Sequence, residues 1–296
     1  SGPHPHGPPA RTPTALRPHR FMSAATLPPE LVCPHCLGAL TPVGARHPLP
    51  AARCDRCARD YSADQGFLDF IGLADSGDTG PGIGPRLMHS RVLAAVYEKL
   101  WRPAFITIAS AGPPDYAEEF AAILAALAPA AGAPILDLSC GPGFTGRRLA
   151  ATREFARVHG VDWSVAMLRQ AVGAQHRAHT APAQAMTLIR ADVVHLPFAR
   201  ASVAGVHAGA ALHMWPDPPG AIAEAARVLR PGGVFVASTF VHPHPRLRLL
   251  TGAFQAVSGA RVFETDELAG HCHAHGLERF DARRRGALIL FSATRT

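Results

Sequence analysis

Short apolar runs alternate with amphipathic stretches over the second half of the chain. Runs of strand length fall at 134–139, 157–161, 187–190, 203–208 and 233–239, and stretches with helical spacing lie between them at 144–153, 164–177 and 218–229. Continuous apolar runs suit strands buried on both faces, and regular strand–helix alternation predicts a parallel sheet covered by helices on both sides. The closing segment "LERFDARRRGALILFSATRT" predicts two further strands, the last over 286–294, forming a hairpin that closes the sheet. Ahead of the alternation, 113–129 opens with prolines and acids, continues as an apolar stripe and stops at Pro129, which are helix start and stop signals. Residues 86–110 also carry helical periodicity, with a break near Trp101 and Pro103. Residues 241–265 interrupt the alternation and are expected to form a mobile cap. No internal repeat is visible.

The first part of the chain reads differently. Residues 1–28 are rich in Pro, His and Arg and lack acids, so they are set outside the fold as a disordered arm, a tag, or the remnant of a transit peptide. Residues 29–72 hold Cys33-x2-Cys36 and, after seventeen residues, Cys54-x2-Cys57. This is four-cysteine zinc spacing: each pair places two thiolates on one tetrahedral ion. A stretch this small has little core of its own, so metal binding would supply its folding free energy. Four protein ligands leave no open coordination position, so the expected zinc ion is structural. Redox pairs or disulfides are the alternatives, and His35 and His47 are the other conceivable ligands. "LADSGDTGPGIGP" follows as a linker, and 73–129 as a whole is expected to hold that linker and helices covering a site.

Composition changes this picture little. The 296 residues are 48% hydrophobic and 17% charged, enough for one main domain beside the small module. A net charge of +7 permits RNA or a phosphorylated partner, but no long run of like charge appears, and "RRR" at 283–285 reads as a solvated strand end. Nearly all the basic residues are arginine; Lys99 is the one lysine. No apolar run approaches the roughly 18 residues of a membrane span, and no signal peptide is visible. The expected location is cytoplasmic, or the plastid if the N-terminal arm is a transit-peptide remnant.

The chemistry centres on "ILDLSCGPGFTG", with glycines at 141, 143 and 146. Such spacing also marks dinucleotide-binding turns, where backbone amides cradle a pyrophosphate. Here Asp137 stands four residues before Gly141, and a carboxylate suits a ligand's ammonium group better than a phosphate. Asp162 ends the second strand, where a carboxylate can accept both ribose hydroxyls. Asp192 follows the third, within reach of adenine's exocyclic amine. "VHAGAALHMWPDP" and "LRPGGVFVAST" supply the fourth and fifth strands with their flanking turns.

Together these ordered motifs resemble the class I S-adenosylmethionine-dependent methyltransferases, over about 115–296. With the cysteine module, "DLSCGPG" and "LRPGGVF", the chain is similar to the type 11, menaquinone/ubiquinone-like group and to uncharacterised plastid and bacterial members. It is more distantly similar to rRNA guanine methyltransferases with an N-terminal zinc finger, from which it departs at "AALHMWPDP". The resemblance implies an α/β fold with a Rossmann-like seven-stranded sheet, mostly parallel with an antiparallel last strand, behind a small zinc-ribbon-like module. Residues 130–296 would then be the S-adenosyl-L-methionine-binding domain.

The resemblance also implies roles. Asp137, Ser139, Gly141 and Gly143 would border the methionine part of the cofactor. Asp162 would hold the ribose with Trp163 beside it, Asp192 and Val193 would meet the adenine, and Ala210 would lie near the methionyl end. The sulfonium methyl is already electrophilic, so the protein's tasks are alignment and exclusion of water, with a base needed only if the nucleophile must lose a proton. His213 is the candidate base or pocket-lining residue, Trp215 either stacks on a flat substrate or packs the turn, and Tyr97 either closes over the methyl donor or belongs to a core stripe. Cys140 reads as a buried filler, and His271, His273 and His275 as surface. The expected acceptor is a small lipophilic or aromatic molecule, with RNA as the alternative.

Overall fold

A computed structural model of the chain describes residues 26–44, 49–72, 107, 112, 115–180, 185–242 and 260–296. Tyr97 and Trp101, the helices expected over 86–110, His47, most of the arm 1–28 and most of the cap 241–265 lie outside these residues.

The main sheet has eight strands, in the spatial order Leu277–Arg285, Leu288–Arg295, Leu229–Phe240, Val203–Ala208, Pro134–Leu138, Arg157–Asp162, Thr187–Arg190 and Leu68–Asp69. Its centre is the predicted alternation: β5 (Pro134–Leu138), α2 (Phe144–Thr152), β6 (Arg157–Asp162), α3 (Val165–Arg177), β7 (Thr187–Arg190), β8 (Val203–Ala208), α4 (Pro218–Val228) and β9 (Leu229–Phe240). The pairs β5–β6, β6–β7, β5–β8 and β8–β9 are all parallel. Every residue of β8 is buried, as expected of a strand covered on both faces. The chain then runs through α5 (Thr265–Ala274) into β10 (Leu277–Arg285) and β11 (Leu288–Arg295), an antiparallel hairpin whose second strand pairs antiparallel with β9. The arginines at 283–285 stand exposed at the end of β10.

Capping residues set the helix starts. Ahead of the sheet, α1 (Tyr116–Leu127) begins at Asp115, whose carboxylate accepts from the amides of Ala117 and Glu118. Ser164 caps α3 and Asp217 caps α4, while Glu264 and Glu267 form a capping box on α5, a helix the apolar pattern had not shown.

The cysteine module forms a three-stranded antiparallel sheet of β1 (Leu40–Val43), β2 (Ala51–Cys54) and β3 (Asp60–Tyr61). Its last strand, β4 (Leu68–Asp69), leaves that sheet and pairs parallel with β7. The expected seven strands therefore become eight, and the module is joined to the main sheet instead of being tethered beside it. Leu31 bridges Phe198, the Val32 amide donates to Pro197 O, and the Ala199 amide donates to Glu30 O. Leu31, Tyr61, Leu68 and Phe70 share one hydrophobic cluster with Leu136, Val161, Ile189 and Phe198 of the main sheet. Such a shared core ties the stability of the two parts together.

Gly146, the third glycine of the run, lies in the first turn of α2, where an added Cβ would overlap Met186 Sδ and come within 2.6 Å of Asp137 Oδ2. Gly146→Ala gains about 1 kcal/mol of helix propensity but must displace the buried side chains of Met186 and Asp137, at roughly 1–3 kcal/mol. A net loss of stability of about 1 kcal/mol is expected in urea denaturation; a variant as stable as the parent would show that α2 stands farther from β5.

Candidate functional site

Parallel strands bring all their C-terminal ends to one edge of the sheet. The chain runs outward from β5 through β6 to β7, then returns to place β8 on the other side of β5. This is a topological switch point, where open α/β sheets bind ligands. The loop after β5 occupies it. Ser139 and Gly141 adopt positive φ (53° and 54°), and Gly143 (φ 82°) is the N-cap of α2. The glycines serve different ends. A Cβ at Gly143 would collide with Met186 Cε at 2.6 Å, so Gly143 permits close packing, whereas a Cβ at Gly141 would meet nothing within 4 Å. Among the described residues, Gly141 therefore faces open space.

Asp162, at the end of β6, fixes this loop. Its Oδ2 accepts the Gly141 amide at 2.8 Å and its Oδ1 accepts the Ser164 amide at 2.7 Å. Burial pushes its carboxyl pKa up to about 6, against the pull of those two amides and with a smaller upward push from Asp137. Each carboxylate oxygen keeps a second lone pair, sufficient for a pair of vicinal hydroxyls. Asp192, after β7, is partly exposed; its Oδ1 accepts the Val194 amide at 3.1 Å, and Val193 beside it is half-buried. Trp163 is half-buried, and its carbonyl accepts from Arg190 Nε at 3.0 Å.

Asp137 lies beneath the loop and not on its surface. It is 2% exposed, and its Oδ1 sits 2.7 Å from His207 Nδ1. Its Oδ2 is buried with no hydrogen-bond partner among the described residues. Cys140 is buried as the filler expected, and burial, with the nearby Asp162 and Asp137, holds its thiol well above the ordinary value. On the β8 side, Ala210 takes a positive φ of 49° while its amide donates to Ser238 Oγ at 2.8 Å.

The residues expected to act on the acceptor are packed more tightly than the sequence suggested. Trp215 is 7% exposed, and its indole N–H donates to Ser139 Oγ at 2.9 Å, so it ties the turn after β8 to the loop after β5. His213, in a short 3-10 turn at Leu212–Met214, is buried edge-on against Phe240 with ring centroids 4.6 Å apart. Burial pushes its pKa down to about 3. So weak a base is poorly matched to proton removal near neutral pH, which favours a lining role for His213, the other expectation for it. On α5, His273 is exposed beside Glu278 as expected, whereas His271 is half-buried beside Glu267.

The four cysteines converge. Their sulfurs all lie within 4.8 Å of one another, with Cys33 and Cys57 at 3.7 Å and Cys36 and Cys54 at 3.4 Å. Zinc–sulfur bonds of about 2.3 Å in a tetrahedron place sulfurs about 3.8 Å apart, so the spacing fits one ion. All four are free thiols. The Cys57 and Arg56 amides both point at Cys54 Sγ at 3.4 Å and draw its pKa down to about 6, which favours the thiolate a metal needs. Tyr61 Oη lies 3.0 Å from Cys33 Sγ. His35 is exposed and outside the cluster.

Sequence reasoning missed Arg190, Asp69, His207 and Ser238. An arginine closing the apolar run "TLIR" was the one available signal.

Known proteins share these features. The profile of the methyltransferase domain matches residues 136–237. An uncharacterised chloroplastic methyltransferase of Arabidopsis thaliana is 36% identical over 90% of this chain and 78% of its own length. Demethylmenaquinone methyltransferase of Thermobifida fusca is 33% identical over 64% of this chain and 65% of its own. Among solved structures, phosphoethanolamine N-methyltransferase 2 of Haemonchus contortus, in complex with S-adenosyl-L-methionine, has the same fold with a TM-score of 0.54. It is 16% identical and is matched over 60% of this chain and 52% of that one.

Proposed function

Because the chain belongs to the S-adenosylmethionine-dependent methyltransferases, we propose that it methylates a small lipophilic or aromatic acceptor at the edge between β5 and β8. The observation that carries this reading is the Asp162 clamp on Gly141, which holds a loop whose Gly141 position is met by no described side chain within 4 Å. The residues suit the cofactor: a space bordered by glycine, a carboxylate with spare lone pairs at the ribose position, and the buried Asp137 Oδ2, without a partner among the described residues, beneath the loop. When bound, S-adenosylmethionine supplies an electrophilic sulfonium methyl.

The chain's own residues bind and orient. Asp162 accepts the ribose hydroxyls, with Trp163 alongside. Asp192 and Val193 meet the adenine, and Ser139, Gly141, Gly143 and Ala210 border the methionyl end. Asp137 acts from below through its charge, braced by His207. The buried turn carrying His213 and Trp215 excludes water, and no proton transfer is assigned to either residue. The Thermobifida relative is named for a quinone-type acceptor, which supports a lipophilic ring as the substrate class.

A structural zinc ion on Cys33, Cys36, Cys54 and Cys57 completes the reading. That the module shares its core with the main sheet supports this role over that of a mobile RNA-docking finger. No described helix is long and apolar enough to cross a membrane, and the word chloroplastic in the Arabidopsis relative's name favours the plastid over the cytoplasm. The test is transfer of labelled methyl from S-adenosylmethionine to two probes, a reduced naphthoquinone and ribosomal RNA. Label in the organic extract is the expected outcome. Label in the RNA alone would overturn the acceptor class.

A further inference from the structure

We propose that Arg190 is a positioning residue through which the four-cysteine module sets the cofactor loop at the tip of β6. The inference rests on the reading of Asp162 as the ribose acceptor. Arg190 is the last residue of β7 and is 2% exposed. In the sheet it stands between two aspartates, in register with Asp69 of β4 on one side and Asp162 of β6 on the other. Its side chain joins the same two flanks. Nη1 donates to Asp69 Oδ2 at 3.1 Å and to Gly72 O at 2.8 Å, while Nε donates to Trp163 O at 3.0 Å. The main chain repeats the link, since the Phe70 amide donates to Arg190 O at 2.9 Å and the Ala191 amide to Asp162 O at 3.3 Å.

Asp69 is itself held. It is 6% exposed, and its Oδ1 accepts the Ile71 and Gly72 amides at 3.0 and 2.9 Å. The guanidinium therefore spans from the exit of the module to the peptide that follows Asp162. A buried ion pair is poorly explained by stability, because apolar residues of similar volume often serve as well in such a position. A planar donor fork that fixes three acceptors at once does explain it. With Trp163 O held, the orientation of the Asp162–Trp163–Ser164 turn depends on where the module seats Asp69 and Gly72. Cofactor affinity is thereby linked to the seating of the module, and linkage of this kind acts in both directions.

The test uses the full-length, metal-loaded protein. Arg190→Lys keeps a buried charge beside Asp69, but a single ammonium on a thinner stem cannot serve Trp163 O, Gly72 O and Asp69 together. Calorimetry should show S-adenosylhomocysteine binding about tenfold more weakly to Arg190→Lys, and several-fold more weakly to Asp69→Asn. The KM for S-adenosylmethionine should rise by the same factor while kcat at saturating cofactor is unchanged, a split that mere destabilisation does not produce. In the unmodified protein, S-adenosylhomocysteine should slow hydrogen exchange at the Ile71 and Gly72 amides as well as at Ser164. That measurement decides the matter even if neither variant folds. Parent and variants binding alike, or protection confined to the Ser164 side, would overturn the role of Arg190 and leave the cofactor reading standing. A parent protein that does not bind S-adenosylhomocysteine would instead remove the cofactor reading, and this inference with it.

Discussion

Serine in place of Cys54 is expected to strip the chain of its metal and to lower its folding stability by about 4 kcal/mol or more. The module's own sheet has strands of four, four and two residues, too little to hold two knuckles together without an ion. Structural zinc contributes on the order of 10 kcal/mol to the folding of isolated fingers. Part of that is retained here, because Leu31, Tyr61, Leu68 and Phe70 stay anchored in the larger core. Cys54 is a demanding position. Its sulfur receives two backbone amides and is 1% exposed, so the variant leaves a buried hydroxyl beside three thiols. Elemental mass spectrometry should find one zinc per parent chain and none in the variant, with the denaturation midpoint falling in parallel. A metal-free Cys54→Ser protein as stable as its parent would show that the cluster holds no structural ion.

Asp162→Asn is expected to weaken S-adenosylhomocysteine binding by about a hundredfold while leaving stability at pH 7 intact. The carboxylate accepts from two backbone amides, one on each oxygen. An asparagine has one oxygen, so in either orientation its NH2 faces a backbone N–H, and a misplaced buried donor costs about 1–3 kcal/mol. The ribose loses its charged acceptor as well. Stability responds differently, because burial raises the folded pKa of Asp162 to about 6 from 3.8. The folded state holds its proton more tightly than the unfolded chain does, so this group's contribution to stability is fully present below about pH 4 and is lost as pH rises through 6. Removing a charge that is unfavourably buried at pH 7 offsets the cost of the misplaced NH2, so the two nearly cancel in the fold at that pH. Binding needs the ionised form, so affinity in the parent should climb through pH 6 and level off above it, and in the asparagine variant it should be flat. Calorimetry between pH 5.5 and 7.5 checks both; an asparagine variant that binds like the parent would remove Asp162 from the site.

The strands and helices around the cofactor loop were legible because each carries its own periodicity. The strands at 187–190 and 203–208 match in full, and α2 and α3 differ from their expected spans by one residue. What escaped is what depends on distant partners. Strand β4 is two residues long, and nothing in "GFLDF" shows that it will leave its own module to pair with a strand more than a hundred residues away. The bond from Arg190 to Asp69 spans 121 positions, that from His207 to Asp137 spans 70, and that from Trp215 to Ser139 spans 76. Burial was equally invisible. "AALHMWPDP" offers a histidine and a tryptophan with the chemistry of a pocket, and only tertiary packing shows that both are enclosed. The four cysteines were readable for the opposite reason, since metal geometry is imposed by spacing over a short stretch.

The seating of β4 on β7 has a consequence for how the protein survives in solution. Without it, "TLIR" would present unpaired amides and carbonyls on a flat apolar rim, the kind of border along which sheets from separate molecules fuse. At the opposite border, β10 guards itself with exposed arginines. The cysteine module is thus also a seam cover, and unseating it would open that border to pairing between molecules.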